Sequence, residues 1–112
     1  MKTVIDTLLQ RRSTRRYERE AISEQDLGFI FGAIRNTPTS YNGQQYSVID
    51  ISDQSLKEKL AEITGQKQIK TCNRFLVFCA DYNKIKVIAD AKGLEMPGFN
   101  DTLDGVMVGV ID

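Results

Sequence analysis

Apolar residues recur three and four positions apart in four segments of the chain, a spacing that places them on one face of a helix. The apolar stripes of these segments begin at Val4, Leu27, Leu56 and Leu103. A further short helix is expected from about Ile85, after a polar segment. The pattern of apolar and polar positions therefore predicts a largely helical chain.

Polar residues mark the ends of two of these helices. Ser23 precedes Asp26 by three positions, which resembles a capping box with Asp in place of the usual Glu. Ser52 or Asp53 is expected to cap the third helix, and Gly65 to close it.

Two extended runs predict strands, from Tyr46 to Ile51 and from Phe75 to Ala80. The second run is almost continuously apolar, which is typical of a strand buried on both faces. Two strands barely make a sheet, and the last helical pattern is still running at Asp112. We therefore infer half of a larger unit, a single partial domain over residues 1–112 that is truncated within a helix.

Composition narrows the choice of function. Fifteen basic residues balance fifteen acidic ones in a chain of 112 residues, so no global field draws the protein to nucleic acid or to a membrane. Without a signal core or a membrane-length apolar run, we expect a cytoplasmic protein with no membrane partner. Cys72 and Cys79 lack the spacing of a zinc or redox pair, so we expect reduced structural thiols. The absence of histidine excludes a Ser-His or Cys-His nucleophile system in this chain, and we expect no metal site.

Charged and hydrogen-bonding side chains are most concentrated in residues 11–17, Arg-Arg-Ser-Thr-Arg-Arg-Tyr. These residues hold four of the seven arginines and are called here the arginine segment. Arginine forks make paired hydrogen bonds to phosphate oxygens, and Ser13 adds a hydroxyl donor, so the segment is a candidate anion site. A solvated basic face and a nucleic-acid patch are the alternatives. Against nucleic acid, the aromatic residues Phe29, Phe31, Phe75 and Phe78 fall mainly on predicted core faces. Tyr17 is the exception, and it is expected to pack.

Two further polar segments contain candidate ligand-binding residues. The 36–45 loop is rich in turn formers and neutral hydrogen-bonding side chains, including Thr39, Ser40 and Gln44, although such loops often serve only as connections. Residues 66–68, Gln-Lys-Gln, form a short polar turn between the third helix and the second strand.

Taken in order, the arginine segment, the loop ending at Gln44, the 65–68 turn and the strand Phe-Leu-Val-Phe-Cys-Ala with its following turn resemble the FMN-dependent nitroreductase family. Within that family, the chain resembles the NADPH-dependent nitro and flavin reductases. The resemblance covers the whole chain, but only the N-terminal half of a usual member. It implies an α+β fold with a mixed sheet flanked by helices, of which this chain holds an incomplete part.

This resemblance implies the site residues. It implies that Arg12 and Arg15 contact the FMN phosphate, that Ser13 hydrogen-bonds it, and that Arg11 makes a similar contact. Thr39, Ser40 and Gln44 match the loop that lies against the ribityl chain and the flavin ring, usually those of the partner subunit. Gln66, and more weakly Lys67, match positions near the polar edge of the ring.

The resemblance also implies hydride transfer from NADPH to FMN and then to a small-molecule acceptor, such as a nitro compound, a quinone or a free flavin. No side chain is required as a catalytic acid or base, because the cofactor carries the chemistry. A homodimer or a complementing chain is the expected partner. The alternatives are an inactive remnant that folds by self-association without flavin, and a small anion-binding or nucleic-acid-binding module.

Overall fold

The computed structural model describes residues 3–18, 20–95, 107, 108, 110 and 111. Residues 107, 108, 110 and 111 are helical. The described chain divides into two compact units, residues 1–21 with 52–73 and residues 22–51 with 74–112. Besides the four helical residues near the C-terminus, the elements in chain order are α1 (Val4–Leu9), α2 (Glu24–Arg35), a 3₁₀ turn (Ser40–Asn42), β1 (Tyr46–Ile51), α3 (Gln54–Thr64), a 3₁₀ helix (Lys67–Thr71), β2 (Phe75–Ala80) and α4 (Asn83–Ala91).

In the first unit, side chains cap the starts of both α-helices. The Thr3 hydroxyl accepts from the Asp6 amide at 3.1 Å, and the Asp6 carboxylate accepts from the Thr3 amide at 3.0 Å, so that α1 begins with a complete capping box. Asp53, one of the two residues expected at the start of α3, accepts from the Leu56 amide at 2.8 Å. Gly65 closes α3 in the left-handed conformation, as its position predicted.

The buried face of α3 differs from the apolar stripe in the sequence. Lys57 and Ala61 are buried, whereas Leu56 and Ile63 of the stripe are exposed. The buried face packs against the 3₁₀ helix Lys67–Thr71, which stands where the sequence predicted only a short polar turn. Local periodicity does not reveal this partner, so it does not identify the face that becomes buried.

In the second unit, β1 and β2 pair in antiparallel register, with Tyr46 opposite Ala80 and Val48 opposite Phe78. The side chain of Ser23 caps α2, and its hydroxyl donates to the Asp26 carboxylate at 2.7 Å. The Tyr46 hydroxyl connects the sheet to α2, because it donates to the Ile34 carbonyl in the last turn of that helix at 2.7 Å. The α+β class predicted from the sequence is confirmed.

The prediction that β2 is buried on both faces is wrong. Phe78 is 64% exposed and Ala80 is also exposed. Phe29 of α2, which was expected on a core face, is 67% exposed. A partner strand pairs with the edge of β2 and covers neither of its faces, so burial on both sides would need an element packed against each face. Among the described residues, the face that carries Phe78 and Ala80 is left exposed.

Some expectations concern residues that the structure does not describe. The start of the last helix at Leu103 lies outside the described residues. The short helix expected from about Ile85 begins at Asn83. The assignment of residues 1–112 to a single partial domain stays a prediction.

Candidate functional site

The arginine segment lies in the first unit and has no regular secondary structure. Arg11, Arg12, Ser13 and Arg15 are all exposed. The Tyr17 hydroxyl donates to the Thr14 carbonyl at 3.1 Å and thereby bridges the C-terminal part of the segment. Tyr17 is 44% exposed, so it acts here more as a local hydrogen-bond donor than as the packing residue that the sequence suggested.

A surface cavity of about 650 Å³ opens beside the start of the segment. Arg11 and Arg12 line it together with Thr7, Gln10 and Thr14, whereas Ser13 and Arg15 do not. The lining thus combines two guanidinium groups with neutral hydrogen-bonding side chains and contains no carboxylate. This donor set fits a phosphate group.

The arginines are also free of internal competition from carboxylates within the described residues. The ion pairs there join Arg74 to Asp50 at 2.9 Å and Lys86 to Asp90 at 3.1 Å. None of them involves the arginine segment. Unpaired guanidinium groups at a surface cavity are available to an external anion.

Sequence reasoning missed Thr7, Gln10 and Thr14 as neighbours of the arginines. Thr7 lies on α1 and Gln10 is its C-terminal cap residue, three positions later. Residues three positions apart share a helix face, and this face leads directly into the arginine segment. The spacing of three positions could therefore have identified Thr7 and Gln10 from the sequence.

Gln66 and Lys67 lie in the same unit, after the glycine that ends α3. Both side chains are exposed, and the Gln66 Oε1 atom accepts from the Gln68 Nε2 atom at 2.7 Å. Lys67 begins the 3₁₀ helix, which α3 holds from one side through a hydrogen bond from the Gln54 side chain to the Lys70 carbonyl at 3.0 Å. The candidate ring-edge residues therefore stand on a short segment that is anchored to a helix.

The 36–45 loop belongs to the second unit. The Thr39 hydroxyl accepts from the Gln44 amide at 3.0 Å, which joins two of the three residues that the resemblance assigned to this loop. The Gly43 amide donates to the Ser40 carbonyl at 3.0 Å. Thr39 and Ser40 are half-buried and Gln44 is exposed.

The structure thus brings the candidate residues together in three groups. Arg11 and Arg12 share a cavity, Gln66 and Lys67 are adjacent in the chain, and Thr39 and Gln44 are hydrogen-bonded. That these three groups meet around one ligand stays a prediction.

Three carboxylates have lowered pKa values because hydroxyl and amide groups donate hydrogen bonds to them. The Thr3 hydroxyl lowers the pKa of Asp6, and the Ser55 hydroxyl, followed by the Leu56 amide, lowers the pKa of Asp53. The Ser47 hydroxyl lowers the pKa of Asp81, helped by the backbone amide of Lys84. Hydrogen bonds that favour the ionised form explain all three directions.

Two kinds of feature are absent from the described residues, a metal-binding cluster of side chains and a membrane-crossing helix. No group of three or more Cys, Asp or Glu side chains there could hold a metal ion. No helix in the same part of the chain is long and apolar enough to cross a membrane.

Comparison with known proteins gives matches along almost the whole chain. A model of the nitroreductase family matches residues 8–100. An FMN reductase [NAD(P)H] of Bacillus subtilis is 38% identical over 114 residues, an alignment that covers 100% of this chain and 45% of that protein. An oxygen-insensitive NADPH nitroreductase of Salmonella typhimurium is 34% identical over 112 residues, covering 97% of this chain and 47% of that protein.

Solved structures agree with these matches. The structure of NfrA2 from B. megaterium superposes with a TM-score of 0.90 at 35% identity and covers 99% of this chain and 45% of that chain. The chain therefore spans less than half the length of these relatives. Because the family model covers most of its residues and the backbone follows the same fold, the chain belongs to the nitroreductase family.

Proposed function

We propose that this chain is the FMN-binding N-terminal part of an NAD(P)H-dependent oxidoreductase. The observation that carries the proposal is the cavity that Arg11 and Arg12 line with neutral polar side chains and without a carboxylate. Such a lining favours a phosphate group, and FMN ends in one. Family membership supports the same choice of ligand.

The residues that hold FMN in this proposal form two sets. Arginine and serine side chains of the first unit bind its phosphate, and polar side chains of the 66–67 turn lie near the ring. The 36–45 loop of one subunit lies along the ribityl chain and the ring of the flavin in its partner. The first set is Arg11, Arg12, Ser13 and Arg15, and the second is Thr39, Ser40, Gln44, Gln66 and Lys67.

When bound, FMN supplies hydride chemistry between a nicotinamide nucleotide and an electron acceptor. The protein's own residues bind and orient the cofactor, and none of them is proposed as a catalytic acid or base. NADPH is the proposed reductant and a small molecule the proposed acceptor, as the names of the FMN reductase and the NADPH nitroreductase relatives support.

We also propose that a second polypeptide, either another copy or a complementing chain, covers the apolar surface of this chain. Phe29 and Phe78 are mostly exposed, and no described side chain is completely buried. Exposed apolar surface of this kind marks an interaction site or a risk of aggregation. Light scattering at increasing concentration tests for a second copy, and a monomer that binds a chain corresponding to the remaining length of the relatives supports a complementing chain.

Cys72 and Cys79 are free thiols. This state suits the reducing cytoplasm, where we propose the protein acts.

Substitution of the arginines tests the flavin assignment. Arg12→Ala and Arg15→Ala should each weaken FMN binding by about 1.5–3 kcal/mol, the value of hydrogen bonds to a charged group. Arg16→Ala is the matched control, because Arg16 is exposed in the same segment and is given no contact with FMN. Equal losses in all three variants would indicate a general effect of charge and would refute the assigned contacts.

A further inference from the structure

Gln45 is a buried polar residue at the end of the 36–45 loop. Its side chain is 4% exposed, and its Nε2 atom donates to the Ser40 carbonyl at 3.3 Å. Its Oε1 atom has no hydrogen-bond partner among the described residues. A single hydrogen bond, made within the loop itself, therefore holds this amide group.

The Gln45 amide lies directly against Gly43. A Cβ atom added at Gly43 would stand 2.5 Å from the Gln45 Oε1 atom and 2.7 Å from its Cδ atom, much closer than such atoms approach in proteins. Gly43 has φ −72° and ψ −22°, a conformation that any residue adopts easily. The Gln45 amide thus occupies the space that a Cβ atom at Gly43 would fill and would have to shift to make room for it, whereas the backbone angles of Gly43 do not require glycine.

The turn that Gln45 supports has an unusual backbone. Tyr41, Asn42 and Gln44 have φ values of +57°, +52° and +50°, in the left-handed region that side chains disfavour. Such conformations persist only where the surroundings hold them in place. Among the described residues of the loop, the Thr39 hydroxyl and carbonyl, the Ser40 carbonyl and the Gln45 amide make hydrogen bonds that hold it.

We propose that Gln45 is a positioning residue for the flavin-binding loop and that Gly43 is the glycine that it requires. The proposal rests on the proposed function, in which Thr39, Ser40 and Gln44 contact FMN. Gln45 makes no contact with the cofactor in this account. It holds the Ser40 carbonyl, and through it the turn that presents Gln44.

A double-mutant cycle tests this coupling. Gly43→Ala should push the Gln45 amide away from Ser40 and weaken FMN binding about tenfold. Gln45→Ala should have a similar effect, because it removes the same amide. In the double variant, Gly43→Ala should add less than about twofold to the effect of Gln45→Ala, since no amide remains to be displaced. Fully additive losses would overturn the proposal.

Riboflavin, which lacks the phosphate, separates a local effect from general damage. A misplaced loop should weaken FMN and riboflavin binding by the same factor, because the arginine segment still recognises the phosphate. General unfolding would also abolish the preference for FMN over riboflavin. Loss of that preference in Gly43→Ala would therefore contradict a positioning role.

Gly32→Ala is the matched control. A Cβ atom at Gly32 would meet no atom within 4 Å, and this residue lies in α2, outside the loop. The control should leave FMN affinity unchanged within about twofold. A loss as large as that of Gly43→Ala would show that any added methyl group disturbs this unit, and would overturn the specific coupling.

Amide hydrogen exchange of the flavin-free chain keeps the two proposals distinguishable. Exchange of the Gln44 amide, which donates to Thr39, should become faster in Gly43→Ala and no faster in the double variant than in Gln45→Ala. If the unmodified chain binds no FMN, the proposed function fails while this exchange pattern still supports or overturns the role of Gln45. Unchanged exchange in Gly43→Ala overturns that role whether or not FMN binds.

Discussion

The Lys57 Nζ atom donates a hydrogen bond to the Cys72 carbonyl at 2.7 Å. It also donates to the Asn73 carbonyl at 3.2 Å, and the Lys57 side chain is 5% exposed. A buried ammonium group thus joins α3 to the chain that follows the 3₁₀ helix. Gln66 and Lys67 closely precede this junction in the chain. Lys57 therefore supports the segment that carries these candidate ring-edge residues.

Replacing Lys57 should destabilise the first unit. Lys57→Met keeps most of the side-chain volume but leaves two carbonyl groups without their charged donor, so the free energy of unfolding should fall by about 1.5–3 kcal/mol. Urea unfolding followed by circular dichroism measures the change. Lys59→Met, at an exposed position of the same helix, should change stability by less than about 0.5 kcal/mol. Equal losses in the two variants would refute the role of the buried hydrogen bonds.

Ser47 should control the ionisation of Asp81. The Ser47 hydroxyl donates to the Asp81 carboxylate and is the main reason that its pKa lies below the ordinary value of 3.8. In Ser47→Ala, the pKa of Asp81 should therefore rise toward 3.8, as a carboxyl-carbon NMR titration would detect. The pKa of Asp53, which Ser55 lowers, should not change and serves as the internal reference.

The sign of the pH dependence follows from the same shift. Because folding lowers the pKa of Asp81, its hydrogen bonds stabilise the folded state above the unfolded-state pKa. This contribution is lost as the pH falls through the lowered folded-state pKa. The stability difference between the wild-type chain and Ser47→Ala should therefore be greatest near neutral pH and shrink under acid conditions. A difference that grows in acid would contradict the assignment.

Two glycine substitutions should have opposite effects on stability. Gly65 has φ +69°, so Gly65→Ala should cost about 1–2 kcal/mol by forcing a side chain into the left-handed conformation. Gly32 lies inside α2 with open space around it, so Gly32→Ala should stabilise the chain by up to about 1 kcal/mol through helix propensity. Thermal unfolding of both variants and of the wild-type chain measures the two changes in stability. Destabilisation by Gly32→Ala would show that its surroundings are more crowded than the structure indicates.

Local features of the fold could be predicted from the sequence. Asp53 and Gly65 act through atoms within a few residues of themselves, so the start and end of α3 follow from short-range chemistry. The strands at Tyr46–Ile51 and Phe75–Ala80 were likewise predicted with their observed bounds. The arginine segment was recognisable because its composition is itself the signal.

Features that depend on distant partners could not be predicted in this way. A lysine in a helix is expected to be solvated, and only the Cys72 and Asn73 carbonyls explain the burial of Lys57. Phe78 was expected to be buried because its neighbours in the chain are apolar, but burial needs a covering element that local pattern does not provide. The contact of Gly43 with Gln45 depends on a side-chain conformation that no sequence motif encodes.

We propose above all that the arginine segment recognises the phosphate of FMN. The most direct measurement compares the dissociation constants of FMN and riboflavin, by quenching of flavin fluorescence, for the wild-type chain, Arg12→Ala and the control Arg16→Ala. If this proposal is right, the wild-type chain and the control bind FMN at least about tenfold more tightly than riboflavin, and Arg12→Ala loses most of this preference. Equal affinity of the wild-type chain for the two flavins, or an undiminished preference in Arg12→Ala, would contradict it.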